Sequence, residues 1–550
     1  MHLAGATYDE LVATFQWRVP QRFNVAEAVV TRHARATPDA PALIVAMDRS
    51  DPQVWTFLEV ERAANRLANA LASLGVRRGD ILALHLTQSA ETLITHVAAS
   101  KLGLIVMPLF VLFGPEAVRY RIDDSGAAVL VTTTASLEAV AVDIAACPSL
   151  RHIITVDGRG PLGAHSLATL MDAAAHTTVS NNSAAEDPAY LLYTSGTTGN
   201  PKGVLHAQRV VIGHLPGVMV PSRFFPQPGD CFWTPADWAW VAGLFDVLMP
   251  ALYHGVPVVA SRSGRFDPEA AFALMARHKV RNLLLPPTAM RLMRAVPNPR
   301  ERFAYHVRSL ISGGEPVGAD MIAWGEDTFG FKLSEVYGQT ECNIVVGNNP
   351  DIMPVKPGSM GRAMPGHTVA IVDDAGNVLP RGATGIVAVK RPDPVMFLEY
   401  WKRPEATREK FRGDWCLLGD VAVEDEDGYL WFQGRDDDII KSSGYRIGPG
   451  EVEDCLARHP AVAIAGVVGT PDPMRGEAVT AFVVAKPGVV PSAELAAEIQ
   501  AFVKERLAAH ESPRKVHFIA EMPLTVTGKL RRVELRKLDA ELTPVNSPRA

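Results

Sequence analysis

Cysteine is scarce in this sequence. Five residues in 550, Cys147, Cys231, Cys342, Cys416 and Cys455, lie far apart with no CxxC pair among them. That spacing fits neither a disulfide framework nor a zinc site. Long hydrophobic runs are also missing. The longest, Leu102 to Phe113, covers twelve residues and contains Pro108, against the ~20 needed to cross a bilayer, so no integral membrane segment is expected. The opening MHLAGATYDELV carries Asp9 and Glu10 and no basic stretch leading into an apolar one. It does not read as a secretory signal, and a cytoplasmic protein is expected. Basic charge has no surplus either: 54 Lys and Arg stand against 60 Asp and Glu, a formal net charge of −6, which offers nucleic acid no global field. With no HExxH and no GxSxG, metalloprotease and serine-hydrolase chemistries lack their motifs.

What is present is length and order. A chain of 550 residues, 47% apolar and 21% charged, exceeds one core and predicts several packed units of ordinary globular composition. From Thr56 the segment TFLEVERAANRLANALASLG reads as a helix: Thr56 and Glu59 form a capping box, Leu67, Leu71 and Leu74 make a stripe, and Gly75 suits a left-handed end. Short apolar runs at 81–86, 127–133, 151–158, 280–287 and 307–314 alternate with helical stretches such as 268–278. That alternation predicts α/β architecture with buried, largely parallel sheets. After about residue 355 the pattern becomes strand, glycine-containing turn, strand (373–389 and 421–434), which predicts a small antiparallel β unit. Beyond the polar stretch 434–451 the order reads α, β, β, α, β. The fold expected is α/β multidomain: a large N-terminal body of α/β subdomains with the small β unit, residues 1–434, and a smaller α+β domain, residues 435–550.

The strongest local signal is LLYTSGTTGNPKGV (191–204). An apolar strand enters a loop of Thr194, Ser195, Gly196, Thr197, Thr198 and Gly199, followed by Pro201 and Lys202. Hydroxyls, amides exposed by glycine and one lysine make a phosphate cradle. A Walker loop is excluded, because Lys202 sits between Pro201 and Gly203 instead of following GxxxxG and preceding Ser or Thr.

Five further stretches follow in order: SGGEP (312–316), EVYGQTE (335–341), LLGDVAVEDEDGYLWFQGR (417–435), GRDDDIIKSSGYRIGPGEVE (434–453) and PLTVTGKLRR (523–532). Together with the phosphate loop, this series resembles the adenylate-forming superfamily, and within it the AMP-forming acyl-CoA synthetases of the medium-chain and acetyl groups. The resemblance runs over residues 55–532. It implies that Gly314, Glu315 and Pro316 contact adenine, that Glu335, Val336, Tyr337, Gly338, Gln339 and Thr340 line the ATP site, and that Glu341 binds Mg²⁺. It places the ribose on Asp420 and Arg435, the hinge of a mobile C-terminal domain on Asp437, and the catalytic roles on Lys529, Lys202, Thr340 and Glu341. Ser443, Gly444, Tyr445 and Arg475 would hold coenzyme A, and Arg446 would face the adenylate phosphate.

The reaction implied joins a carboxylic acid to AMP at the expense of ATP, then transfers the acyl group to coenzyme A. Acetate-specific relatives close the acyl pocket with tryptophan at the position of Gly338 and a β-branched residue at that of Gly313. Glycine at both, with Val241 and Ala242, implies a deeper apolar slot. The family's D-x-G-W stands here as Asp237, Trp238, Ala239 and Trp240, and the added methyl and second indole favour branched or aromatic acids. Asp237 also invites comparison with the amine-binding aspartate of amino-acid-activating domains. Three alternatives stay open: a ligase that loads the pantetheine of a carrier protein, a short-chain (acetate or propionate) ligase, and a non-catalytic nucleotide-binding protein.

Overall fold

The computed structural model describes residues 7–46, 51–178, 181–194, 201–261, 266–435, 438, 440–442, 445–472, 475–507, 511–524 and 530–542, without the side chains of 441, 445, 446 and 451. By compactness the chain divides into two units: one takes most of the chain to 369 together with 389–416, the other 370–388 and the chain from 417 onward.

In the first unit, polar starts and apolar stripes produce the expected helices. Thr56 and Glu59 close the capping box at the head of helix Phe57–Ser73, and Gly75 takes a left-handed φ of 80° past its end. Two large sheets are built from the short apolar runs. In spatial order, the first comprises Arg362–Ala363, Cys342–Gly347, Ser334–Gln339, Ser309–Gly313, Asn282–Leu284, Phe232–Trp233, Val258–Ser261, Pro41–Ala46 and Gln53–Thr56. The second comprises Glu399–Tyr400, Lys202–Ala207, Pro188–Thr194, Ile105–Pro108, Ile81–His85, Val129–Thr132, His152–Thr155 and His165–Ser166. Central pairs are parallel, as expected. Antiparallel pairs occur towards the edges, at Ser334–Gln339 with Cys342–Gly347 and at Pro188–Thr194 with Lys202–Ala207. Both of these hairpins carry predicted site residues.

Side-chain alternation along the strands sorts the cores. Leu82 and Leu84 join the core shared by both sheets, whereas Ile81 and Ala83 join the outer core of the second sheet. Likewise Leu284 and Ile311 face the shared core, and Leu283, Leu285 and Leu310 the outer core of the first sheet. Helix Ala90–Leu102 lies in the shared layer, where 11 of its 13 residues are buried. That enclosure explains why it lacks a polar face.

The second unit takes, from Leu417 onward, the hairpin of Trp415–Glu424 with Leu430–Arg435, then helix Pro449–Ala457, strands Val462–Asp472 and Gly476–Ala485, helix Ala493–Arg506 and strand Lys515–Phe518. This is the α, β, β, α, β order expected. The last helix, Arg532–Leu542, was not anticipated, because RRVELRKLDAEL is mostly charged. Leu535 buries against Val468 and Phe482, and Arg532 pairs with Glu453 at 2.7 Å while Arg536 pairs with Asp438 at 3.0 Å. Among the described residues no helix is long and apolar enough to cross a membrane.

Candidate active site

The predicted phosphate loop falls between the antiparallel strands Pro188–Thr194 and Lys202–Ala207. Thr194 pairs in register with Lys202, and the Thr194 hydroxyl donates to the Lys202 carbonyl at 3.4 Å. Ser195, Gly196, Thr197, Thr198 and Gly199 lie outside the described residues. Lys202 is exposed, and its ammonium stands 5.3 Å from the centroid of the Tyr400 ring, a favourable place for a cation. The Tyr400 hydroxyl in turn donates to Oε1 of Glu341 in a short hydrogen bond. One aromatic side chain therefore joins the predicted phosphate lysine to the predicted metal carboxylate. Tyr400 carried no signal in the sequence: it stands in FLEYWK, 59 positions beyond Glu341, and only sheet edge Glu399–Tyr400, paired with Lys202–Ala207, brings it there.

Glu341 sits in the tightest part of the site. Gln339 pairs with Cys342, leaving Thr340 and Glu341 as the turn between two antiparallel strands. Glu341 is 7% exposed, and its backbone carbonyl accepts from Phe397 N–H at 2.9 Å. Its partners are thus provided mainly by the segment 397–400. Among the described residues no three His, Cys, Asp or Glu side chains gather as a metal-ligand cluster. Mg²⁺ does not require one: it keeps several waters and takes one or two carboxylates with substrate phosphates. Glu341, with the Tyr400 hydroxyl on Oε1 and no described donor on Oε2, fits that demand.

The strand before this turn shows why glycine stands at 338. A β-carbon there would lie 2.2 Å from the Ile344 nitrogen and 2.6 Å from the Asn343 Cα, and one at Gly313 would lie 2.3 Å from the Val336 carbonyl oxygen. Both glycines are required by backbone approach, in addition to any role in shaping a pocket. Gly338→Ala is therefore expected to lower stability by about 1–3 kcal/mol through overpacking and to depress activity on every acid alike. Thermal melting and a chain-length profile check this; an intact melting temperature with a shifted profile would contradict it.

Glu335 is enclosed, and burial pushes its carboxyl up to about 8, so it is largely neutral at pH 7. It accepts from Val317 N–H at 3.2 Å through Oε1. That contact ties the Gly314–Pro316 loop to the strand carrying Val336, Tyr337 and Gly338. Glu315 is paired with Arg291 at 3.1 Å.

The predicted acyl wall is built by one loop and the turn that follows it. Asp237 Oδ1 accepts from Ala239 N–H at 2.8 Å, and burial raises its carboxyl to about 6; its hydrogen bond closes its own turn. Trp238 is buried, while Trp240 is half-exposed, with its ring 5.5 Å from Phe110 and 6.0 Å from Phe113. Val241 and Ala242, both partly exposed, begin a single α-helical turn that runs into a π-helical one, Leu244–Leu248.

In the second unit, Asp420 and Arg435 stand directly opposite each other across the hairpin. Arg435 Nη1 lies 3.8 Å from Oδ1 of Asp420, whose side chain is 8% exposed against 39% for the arginine. The two predicted ribose residues thus form one unit. Arg475 occupies the turn before strand Gly476–Ala485, where its N–H donates to Asp472 Oδ1 at 2.9 Å and its side chain is exposed. Tyr445 and Arg446 are placed only as backbone, in the strand Tyr445–Ile447. Asp437, Ser443, Gly444 and Lys529 lie outside the described residues.

Comparison with known proteins identifies the family. A family model described as AMP-binding enzyme matches residues 30–401, and another described as AMP-binding enzyme C-terminal domain matches residues 451–529. The chain is 36% identical to acetyl-coenzyme A synthetase of Bacillus subtilis (strain 168), over 97% of this chain and 95% of that one. It is 34% identical to the mitochondrial acyl-coenzyme A synthetase ACSM4 of Mus musculus, over 94% and 91%. Among solved structures, the anthranilate CoA ligase AuaEII in complex with anthranoyl-AMP is 29% identical with a TM-score of 0.83, covering 94% of this chain and 98% of that one. The chain belongs to the AMP-binding enzyme family.

Proposed function

We propose that the acid taken by this AMP-forming carboxylate–CoA ligase is medium-chain, branched or aromatic. The observation that carries the ligase reading is the placement of Lys202 and Glu341 on either side of Tyr400, at the base of the phosphate loop. The wide acid is supported by the aromatic edge formed by Trp240, Phe110 and Phe113. The named activity of the anthranilate ligase is in keeping with it.

The substrate carboxylate attacks the α-phosphorus of ATP, the bond to pyrophosphate breaks, and an acyl-AMP anhydride forms. Negative charge grows on the phosphate oxygens during that displacement. Lys202, the loop hydroxyls at 194–198 and Lys529 stabilise it electrostatically. When bound through Glu341, Mg²⁺ neutralises phosphate charge. Asp420 and Arg435 hold the ribose, and Gly314, Glu315 and Pro316 border the adenine. The domain 435–550 then turns about Asp437, withdrawing Lys529 and bringing Ser443, Gly444, Tyr445 and Arg475 to coenzyme A, with Arg446 on the adenylate phosphate. The coenzyme A thiol, titrating like cysteine near ~8.5, supplies thiolate without a dedicated base. That sulfur attacks the acyl carbonyl, and AMP leaves.

A pyrophosphate-release screen with coenzyme A, over straight acids from acetate to dodecanoate and over branched and aromatic acids, tests the proposal. The highest kcat/KM is expected among medium, branched or aromatic acids. A maximum at acetate or propionate would overturn the acid, and thioester formed only on a carrier protein would overturn the thiol.

A further inference from the structure

One turn beyond the predicted acyl wall, the core turns polar. Asp246 lies in the π-helical turn Leu244–Leu248, four positions after Ala242 and five after Val241. In a helix passing from α to π spacing, those offsets bring Asp246 onto the face that carries the wall residues. Its Oδ1 accepts from Asn343 Nδ2 at 2.7 Å, and Asn343 is the residue whose backbone closes on Gly338. The polar group therefore adjoins both sides of the predicted pocket.

Two histidines complete it. His214 Nδ1 lies 2.8 Å from the Val210 carbonyl oxygen and so carries the proton. Its Nε2, an acceptor, has no hydrogen-bond partner among the described residues and stands 3.9 Å from Asp246 Oδ1. Neither ring nitrogen of His206 has a hydrogen-bond partner of normal geometry among the described residues, although the Thr340 carbonyl lies near. Burial lowers His214 to about 4 and His206 to about 3, so both imidazoles are neutral at pH 7, and it pushes the Asp246 carboxyl well above its ordinary value. Buried polar atoms are ordinarily paired. Here several have no described partner, and Asp246 and His214 are both buried beside the predicted acyl wall.

We infer that Asp246, supported by Asn343 and His214, receives an uncharged hydrogen-bonding group, a hydroxyl or aromatic amine, carried by the acid away from its carboxylate. A second carboxylate does not suit the place, since the Asp246 carboxyl and neutral imidazoles face it. The inference rests on the ligase reading and names the substrate class within it.

Matched acids test it: hydroxylated or aminated benzoic, phenylacetic and alkanoic acids, each beside its methyl counterpart, with pyrophosphate release as the readout. Wild-type enzyme is expected to prefer at least one polar member by ~10-fold or more in kcat/KM, because a site built to hydrogen-bond rejects the analogue that lacks the group. Asp246→Leu should bring that ratio to about one or below it. Asp246→Asn, neutral and of similar shape, should keep the preference and decides the matter if the leucine variant fails to fold. Equal turnover of every pair by wild-type enzyme, or equal losses on both members in Asp246→Asn, would overturn the inference while leaving the ligase reading standing. Failure of every acid to release pyrophosphate would overturn both.

Discussion

Lys529→Ala is expected to lower acyl-adenylate formation by ~10²–10³, the usual consequence of removing one preorganised charge contact from a transition state. A supplied acyl-adenylate should still pass to coenzyme A, because in the proposed mechanism the second half-reaction displaces AMP after the lysine has been withdrawn. Pyrophosphate release reads the first half and thioester formation from synthetic acyl-AMP the second. Equal losses in both would refute the assigned role and, with it, the domain turn about Asp437. Among the proposed contacts Lys529 has the largest expected asymmetry between the half-reactions, since the proposed turn about Asp437 moves it and not Lys202.

Glu341→Gln preserves the size of the side chain and an acceptor for the Tyr400 hydroxyl while removing the charge. Adenylation is expected to fall by ~10²–10³, and the Mg²⁺ concentration for half-maximal rate to rise. Titration of Mg²⁺ against pyrophosphate release measures both. A variant with the wild-type rate at limiting Mg²⁺ would detach Glu341 from the metal. Tyr400 keeps the interpretation clean: the fold around the turn holds through the Phe397 N–H to Glu341 carbonyl bond at 2.9 Å, which the substitution does not touch.

Much of the fold was legible in the sequence because its signals are local. Thr56 and Glu59 cap a helix through atoms three residues apart. Alternation in Ile81–His85 divides two cores because successive strand side chains point to opposite faces. The site was legible in a different way, through motifs whose residues proved to share hairpins: Thr194 opposite Lys202, and Asp420 opposite Arg435. Helix Arg532–Leu542 escaped because its stabilising partners, Asp438 and Glu453, are some eighty to a hundred positions away, so its charges looked like solvated ones. Tyr400 and Asp246 escaped for the same reason, since neither belongs to a motif and both matter only through what they touch.

Glycine at 338 and 313 illustrates the division most clearly. Sequence reasoning treated the missing side chains as space for an acyl chain, whereas the fold shows backbone within 2.2 and 2.3 Å of where each β-carbon would lie. By itself the sequence determined the family, most of the order of elements and the absence of a long apolar span, and it supplied the candidate residues for phosphate, ribose and thiol, because each of these is written in neighbouring residues. Tertiary structure alone decided that Tyr400 couples Lys202 to Glu341, that two glycines serve backbone contact, and that Asp246 is buried beside Asn343 and His214. Burial and close approach depend on residues remote in the chain, and no local pattern records them.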